Sequence, residues 1–176
     1  LSMKKTIIHF DLDAFFVSCE RRVDSRLNNK PVIIGGTGNR GVVTASSYEA
    51  RRFGVHSAMN MKLAKQLCPQ AIFIRGNGSL YGKMSREVTD ILIQELPIVE
   101  KASVDEFYAD LTGMDKFFGC YKFSKELRSK IIKETGLPIS FGLASNKTVS
   151  KVATGEAKPN NQMNVANGLE KRFLAP

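Results

Sequence analysis

The stretch IVEKASVDEFYADLT, at residues 98–112, decides the fold. It places two adjacent carboxylates, Asp105 and Glu106, between two strand-like runs, residues 98–103 and 107–112. Two such runs joined by a short polar turn predict an antiparallel hairpin. Neighbouring acids repel each other, so they favour either full solvation or a multivalent cation, and Mg²⁺ prefers hard oxygen ligands of this kind. The stretch alone leaves both a solvated turn and a metal site open.

A third acid, Asp11, follows the apolar run at residues 6–10, which predicts a buried strand. With residues 15–75 set aside, the predicted order is strand, helix, strand, strand, helix, strand, which is the split βαβ arrangement of ferredoxin-like folds. In this topology the third strand lies antiparallel beside the first, so Asp11 meets Asp105 and Glu106 at one edge of the sheet. We therefore predict an α+β fold, a βαββαβ domain with a small inserted α/β subdomain.

The remaining elements follow from hydrophobic spacing and turn residues. A long amphipathic helix is predicted over residues 79–96, and a second contains Phe117, Tyr121 and Ile132. A strand at 139–144, a helix at 146–157 and a short strand at 163–165 complete the domain, and Asp13 is predicted to cap a helix that starts near Ala14.

The insertion has its own predicted elements. Strands at 32–34 and 41–45 are joined by the glycine-rich loop at 35–41, for which a plain hairpin is a better explanation than a phosphate cradle. Short helices are predicted at 48–53, capped by Ser46 or Ser47, and at 61–68, and a strand at 71–74.

Composition limits the function classes. The 176 residues carry a net charge of +9 and are 43% hydrophobic, which predicts a packed protein with a polyanionic partner, either nucleic acid or an anionic membrane surface. A merely soluble basic surface remains an alternative. The sequence contains no apolar run near the ~20 residues of a membrane span and no signal-peptide pattern, and its three cysteines are scattered, so we predict a reducing, cytoplasmic location.

Three carboxylates at one point indicate a metal-binding catalytic site. Without partners they would cost several kcal/mol or become protonated. Two divalent ions ~3.5–4 Å apart would resolve the repulsion and would clamp the oxygens of an in-line phosphoryl transfer, with the Leu12 carbonyl as a further ligand. His9 and His56 are predicted to be structural.

Cations are needed for a triphosphate. Tyr48 and Arg51 are three residues apart on a predicted helix and share a face. Arg51 offers a planar fork for phosphate oxygens and Tyr48 a hydroxyl donor. Lys158, just after a predicted helix, is the other candidate, although all three are equally explained as surface residues.

Four spaced motifs carry a family resemblance: IIHFDLDAFF at 7–16, SYEARRFGV at 47–55, SVDEF at 103–107 and AKPN at 157–160. Together they resemble the Y-family (translesion) DNA polymerases along nearly the whole chain. The resemblance implies a catalytic palm at residues 3–14 and 76–166 and fingers at 15–75. It also implies that residues 167–176 begin the connection to a thumb, which is absent here together with the little finger.

The resemblance further implies site roles. It makes Asp11, Asp105 and Glu106, with the Leu12 carbonyl, the ligands of two Mg²⁺ ions, for which Mn²⁺ can substitute. The implied nucleotide-binding residues are Tyr48, Arg51 and Lys158 on the triphosphate, backbone amides around Phe15, and Phe16 as a steric gate against a ribonucleotide 2′-hydroxyl. Ser57 and Ala58 match the fingers surface over the nascent base pair, whereas Ala45 and Asn60 depart from the usual Thr or Ser and Pro.

The implied function is template-directed addition of dNTPs to a DNA primer. The implied partners are primer-template DNA, dNTP and a sliding clamp reached through the missing C-terminal region, with no membrane and a monomeric fragment that has little activity alone. One alternative is a haloacid-dehalogenase-type phosphatase, because Phe10-Asp-Leu-Asp13 resembles its Asp-x-Asp opening. However, Phe15 stands where that family has Thr or Val. The other alternative is a non-catalytic basic nucleic-acid-binding module with solvated acids.

Overall fold

The computed structural model describes residues 4–114 and 119–176, so the predicted helix residue Phe117 lies outside the described residues. Helices and strands are mixed along the chain, which confirms the predicted α+β class. The elements are β1 (Ile7–Leu12), α1 (Phe15–Val23), a 3₁₀ turn (Ser25–Leu27), β2 (Val32–Gly35), β3 (Val43–Ser46), α2 (Tyr48–Arg51), α3 (Met61–Leu67), β4 (Ile72–Ile74), α4 (Gly78–Glu95), β5 (Val99–Lys101), β6 (Glu106–Asp110), α5 (Cys120–Thr135), β7 (Ile139–Ala144), α6 (Lys147–Ala157), β8 (Gln162–Asn164) and α7 (Glu170–Leu174).

The chain forms two compact units. One unit comprises Leu1–Asp13 and Met84–Pro176, and the other comprises Ala14–Lys83. The second boundary falls within α4, eight residues later than the palm segment that the sequence predicts to begin at residue 76. The palm and fingers assignments stay predictions.

The first unit is built on a five-stranded sheet in the order β5-β6-β1-β7-β8. β1 is antiparallel to both β6 and β7, and β8 is added parallel to β7. The four strands of the predicted βαββαβ unit are β1, β5, β6 and β7 in chain order. They lie side by side in the order β7-β1-β6-β5, as a ferredoxin-like fold requires. β1 extends to Leu12, so Asp11 lies within the strand and not after it, and its register partner on β6 is Glu106.

The core of this unit surrounds β1 and β7. Phe10, Phe107 and Phe141 are fully buried, one on each of the three central strands. α6 packs on β7 and β1, and it approaches the sheet closely at Gly142. A Cβ at Gly142 would overlap the carbonyl oxygen of Ser150 and lie 2.6 Å from the backbone nitrogen of Thr154. Glycine is therefore required here by the approach of the helix.

The second unit contains a three-stranded sheet in the order β3-β2-β4. β2 and β3 form the predicted antiparallel hairpin, and β4 is parallel to β2. The Ser47 hydroxyl caps α2 by accepting from the Ala50 N–H at 3.2 Å, and it also accepts from the Val32 N–H at 2.8 Å. The cap therefore ties the short helix to the sheet.

The prediction that Asp13 caps the first helix is wrong. Ala14 occupies the N-cap position with a left-handed backbone (φ 39°) and no side-chain cap. The Asp13 carboxylate is buried, where it accepts hydrogen bonds from the Ser140 hydroxyl at 3.0 Å and the Asn160 N–H at 2.5 Å. Tertiary partners on two distant segments outcompete a local cap, because burial makes a satisfied carboxylate essential.

The C-terminal helix α7 is not predicted from the sequence, which assigns residues 167–176 only as a connection. Within the described residues, every helix is too short or too polar to cross a lipid bilayer.

Candidate metal centre

Asp11 and Glu106 face each other across neighbouring strands. They are direct register partners in the β1–β6 ladder. His9 is two residues before Asp11 on β1 and therefore lies on the same face of the sheet. One potential ligand atom from each of these three side chains lies within 4.8 Å of the others, which defines the acid–His cluster (His9, Asp11 and Glu106).

His9 is held on both ring nitrogens. Its side chain is 1% exposed, its Nε2 lies 3.0 Å from Glu106 Oε1, and its Nδ1 lies 2.7 Å from the Thr154 hydroxyl. The Tyr108 ring packs against the imidazole with 4.7 Å between ring centroids. The imidazole is therefore fixed in position between α6 and β6.

Two lysines neutralise the acids. Lys158 Nζ lies 3.1 Å from Asp11 Oδ1, and Lys151 Nζ lies 2.9 Å from Glu106 Oε1. The two lysines are seven residues apart, two helical turns, and so project from one face of α6 and its C-cap. Each of the two carboxylates in the acid–His cluster is therefore paired with a lysine ammonium.

Burial and neighbouring charges shift the two carboxyls in opposite directions. Burial raises the pKa of Asp11 to about 7; Lys158 opposes the shift, and the carboxylates of Asp105 and Glu106 add to it. Burial also acts to raise the pKa of Glu106, but the hydrogen bonds from Lys151 and His9, together with the charges of these two groups, outweigh it, and the net pKa is lowered. Glu106 is thus ionised at neutral pH, whereas Asp11 needs further positive charge to ionise fully.

Asp105 lies next to the cluster, and its carboxylate is not one of the three clustered ligands. Its backbone oxygen accepts from the Leu12 N–H at 3.0 Å, and its Oδ1 accepts from the Ser103 hydroxyl at 2.9 Å. The backbone bond brings Leu12 and Asp105 together at the end of β1. The structure therefore brings Asp11 and Glu106 together as predicted and places Asp105 beside them.

The donor set fits a hard divalent cation. Two carboxylates directly opposed on adjacent strands supply the oxygen ligands that Mg²⁺ and Mn²⁺ prefer. The partly buried Asp11 gains more from such an ion than Glu106 does, because its pKa is raised whereas that of Glu106 is lowered. These residues can hold a divalent metal ion.

The predicted nucleotide contacts lie in the second unit, except Lys158. Arg51 and Tyr48 do share a face of α2, with the guanidinium carbon 4.6 Å from the centre of the Tyr48 ring. Arg51 Nε also donates to the Ser46 carbonyl at 3.0 Å, which directs the exposed side chain along the helix. Phe15 is buried, whereas Phe16 is partly exposed.

Phe16 has a defined position within that unit. Its ring stacks on Tyr81 with 4.3 Å between centroids and 14° between the planes. The Tyr81 hydroxyl donates to Glu20 Oε1 at 2.9 Å, so a ring on α4 and an acid on α1 fix the stack. A ring that is held in this way blocks a defined volume, which a mobile ring would not do.

Sequence reasoning missed Lys151 and Thr154 and treated His9 as merely structural. Two signals were available. His9 and Asp11 alternate onto one strand face, and Lys151, Thr154 and Lys158 follow helical spacing from a single face. Neither signal says which acid each side chain reaches, which depends on the packing of α6 on the sheet.

A model of the impB/mucB/samB family matches residues 10–155. The chain belongs to this family. The resemblance to Y-family polymerases is confirmed. Solved structures similar to the chain include a Y-family DNA polymerase chimera of Dbh and Dpo4, which is 27% identical and superposes with a TM-score of 0.86. The similarity covers 96% of this chain and 51% of the other.

Two bacterial proteins show how far the similarity of this impB/mucB/samB member extends. DNA polymerase IV of Dehalococcoides mccartyi (strain CBDB1) is 47% identical over 174 residues, which are 98% of this chain and 45% of that protein. DNA polymerase IV of Treponema denticola is 45% identical over 175 residues, 99% of this chain and 44% of that protein. The chain therefore spans slightly less than half the length of these relatives.

Solved structures of the same kind superpose well. The crystal structure of DinB from Sulfolobus solfataricus gives a TM-score of 0.88 at 26% identity, covering 96% of this chain and 50% of the other. An insertion ternary complex of Dbh DNA polymerase gives 0.84 at 26% identity, covering 92% and 48%. The family's fold is thus present over nearly all of this chain.

Proposed function

We propose that this chain provides the nucleotidyl-transfer centre of a translesion-type DNA polymerase, which adds dNTPs to a primer on a DNA template. The observation that carries the proposal is the direct opposition of Asp11 and Glu106 on β1 and β6, within the segment that the family model matches. The names of the similar proteins, DNA polymerase IV and Dbh DNA polymerase, support the same activity class.

In this proposal Asp11, Asp105 and Glu106, with the Leu12 carbonyl, hold two Mg²⁺ ions, for which Mn²⁺ can substitute. When bound, the ions supply positive charge at the attacking and leaving oxygens of the transferred phosphoryl group. The protein's part is to present ionised carboxylates in fixed positions. The β1–β6 ladder fixes Asp11 against Glu106, and the Ser103 hydroxyl orients Asp105.

The triphosphate is bound by cations and donors. We assign Arg51 to bidentate contact with phosphate oxygens, Tyr48 to a hydroxyl contact, and backbone amides around Phe15 to further hydrogen bonds. The Lys158 ammonium, whose Nζ lies 3.1 Å from Asp11 Oδ1, is equally suited to bind a phosphate oxygen. Phe16 is the steric gate, because its stacked ring occupies a fixed volume.

The larger assignments follow from the same proposal. Residues 3–14 and 76–166 act as the palm, residues 15–75 as the fingers and residues 167–176 as the start of the connection to a thumb. Primer-template DNA is the polyanionic partner that the net charge of +9 favours. We further propose that the protein is monomeric and cytoplasmic and that a sliding clamp is an additional partner.

Binding of dNTP in the presence of Mn²⁺ tests the proposal on the chain itself. We expect the 176-residue chain to bind dNTP only when the metal is present, and Asp11→Ala and Asp105→Ala to lose this binding. Single-nucleotide insertion at high protein concentration is the second measurement, with release of pyrophosphate only when primer-template is added. Metal-independent dNTP binding, or normal insertion by Asp105→Ala, would contradict the assignment.

The phosphatase alternative has no support in the structure. An Asp-x-Asp phosphatase needs its second aspartate at the reacting group, whereas Asp13 is 1% exposed and bonded to Ser140 and Asn160. The alternative of solvated acids also fails, because Asp11 and Glu106 are both partly buried and each contacts a lysine.

A further inference from the structure

We propose that His9 and Thr154 form a positioning pair that fixes the Glu106 carboxylate in the orientation needed to bind a divalent metal. The inference rests on the proposed function in one respect, the role of Glu106 as a metal ligand. It assigns His9 a role as a hydrogen-bond donor to that ligand, and Thr154 a role in deciding which ring nitrogen carries the proton.

The donor and acceptor inventory sets the direction of the bonds. The Glu106 carboxylate only accepts, so His9 Nε2 must carry the proton that it donates across 3.0 Å. In a neutral imidazole Nδ1 is then an acceptor, and its partner at 2.7 Å is the Thr154 hydroxyl, which donates. Burial of both side chains to 1% exposure favours the neutral ring over the imidazolium.

Thr154 has two other acceptors within reach of its hydroxyl. Its hydroxyl oxygen lies 2.9 Å from the Ser150 carbonyl and 3.1 Å from the His9 carbonyl, both longer than its separation from Nδ1. The hydroxyl has one proton, and we assign it to Nδ1, which in a ring protonated at Nε2 would otherwise be a buried acceptor without a donor. A hydrogen bond at one ring nitrogen that defines the proton on the other is a recognised way to orient ligands at metal sites.

The sheet is shaped to allow this contact. Gly142 is the register partner of His9 on β7, and it is the glycine at which α6 approaches most closely. A side chain at Gly142 would push the backbone of Thr154 away from the imidazole. The absence of a Cβ opposite His9 therefore places the Thr154 hydroxyl within reach.

The two oxygens of Glu106 are consequently different. Oε1 accepts from both His9 and Lys151, at 3.0 and 2.9 Å. Among the described residues, the hydrogen-bond contact recorded for Oε2 is the Ser103 hydroxyl at 3.5 Å, the outer limit for such a bond. His9 thus anchors one oxygen and leaves the other for an ion.

Binding of Mn²⁺ alone to the 176-residue chain is the first test, read by electron paramagnetic resonance. We expect Thr154→Val to weaken Mn²⁺ binding by roughly tenfold, the lower end of the effect of removing a direct partner of a metal ligand, because Thr154 acts on Glu106 through His9. Thr154→Ser keeps the hydroxyl and should bind Mn²⁺ as the wild type does. Thr135→Val is the matched control, since it removes a buried hydroxyl on α5 that donates to the Ile131 carbonyl and accepts from the Leu137 N–H, away from the cluster.

Imidazole ¹⁵N spectra provide the second test, and the chain has only two histidines. His56 is exposed and serves as the internal reference. We expect His9 to show a protonated Nε2 and an unprotonated, hydrogen-bonded Nδ1. The Nδ1 signal should shift in Thr154→Val and return in Thr154→Ser, and Mg²⁺ should leave the Nε2 proton in place.

The outcomes separate this inference from the proposed function. Failure of the wild type to bind Mn²⁺ would contradict the metal site itself. Mn²⁺ binding that is equal in the wild type and Thr154→Val would overturn the positioning pair while leaving the metal site intact. Loss of the Nε2 proton on addition of Mg²⁺ would make His9 a ligand and would also overturn it.

Discussion

Replacing Gly142 by alanine tests the packing on which the site depends. The new Cβ would overlap the Ser150 carbonyl oxygen and would lie 2.6 Å from the Thr154 nitrogen and 2.8 Å from the Ala153 Cβ. Two of these neighbours are helix backbone, which has no rotamer to change, so α6 must move away from the sheet. Overpacking of a core costs ~1–3 kcal/mol in the free energy of unfolding. For a chain of this size each kcal/mol lowers Tm by about 2–4 °C, so we expect a decrease of roughly 2–12 °C.

The same displacement should weaken metal binding, because it moves Thr154 away from His9. Thermal unfolding and Mn²⁺ titration of Gly142→Ala therefore measure two consequences of one change. Gly155→Ala is the matched control on the same helix, since no atom lies within 4 Å of its added Cβ. It should stabilise the chain by roughly 0.5–1 kcal/mol, the usual gain from replacing a helix glycine. A Tm for Gly142→Ala equal to or above that of the wild type would refute the close-approach argument.

Three further predictions concern the site. Mn²⁺ at 100 times its Kd should add ~2.7 kcal/mol to the free energy of unfolding of the wild type, and Asp11→Asn should lose this gain. If thermal unfolding shows that Mn²⁺ stabilises the wild type and Asp11→Asn equally, the ion binds elsewhere. Lys151→Met should tighten Mn²⁺ binding by no more than about fivefold, because the half-exposed ammonium competes for Glu106 only weakly, and the difference should shrink at high salt. Phe16→Ala should raise ribonucleotide insertion relative to deoxyribonucleotide insertion while removing a ring stack worth ~0.5–1.5 kcal/mol, whereas an unchanged rNTP/dNTP ratio would exclude the gate role.

The strand order and the meeting of Asp11 with Glu106 could be predicted because both follow from local patterns plus one topological rule. Apolar runs locate the strands, and the split βαβ order places the third strand beside the first. The register then decides which residues face each other, and the alternation of buried and polar positions on β6 restricts it strongly. The prediction therefore needed no knowledge of helix packing.

The partners of these acids could not be predicted in the same way. The lysines and Thr154 reach their partners through the packing of α6 on the sheet, whose close approach at Gly142 joins segments far apart in sequence. Asp13 shows the limit clearly. Its position before a helix favours a local cap, but burial against Ser140 and Asn160 decides its actual role.

The face that α6 presents to the sheet explains how the acid–His cluster is held together. Three lysines on this face, Lys147, Lys151 and Lys158, pair with acids on three successive strands, Glu100 on β5, Glu106 on β6 and Asp11 on β1. Thr154 lies between the last two lysines and bonds to the only imidazole in the cluster. One helix face therefore supplies both the positive charge that pairs with the acids and the hydroxyl that contacts the imidazole. A divalent ion would enter a site whose carboxylates are already held in place, so most of the cost of gathering them is met by folding.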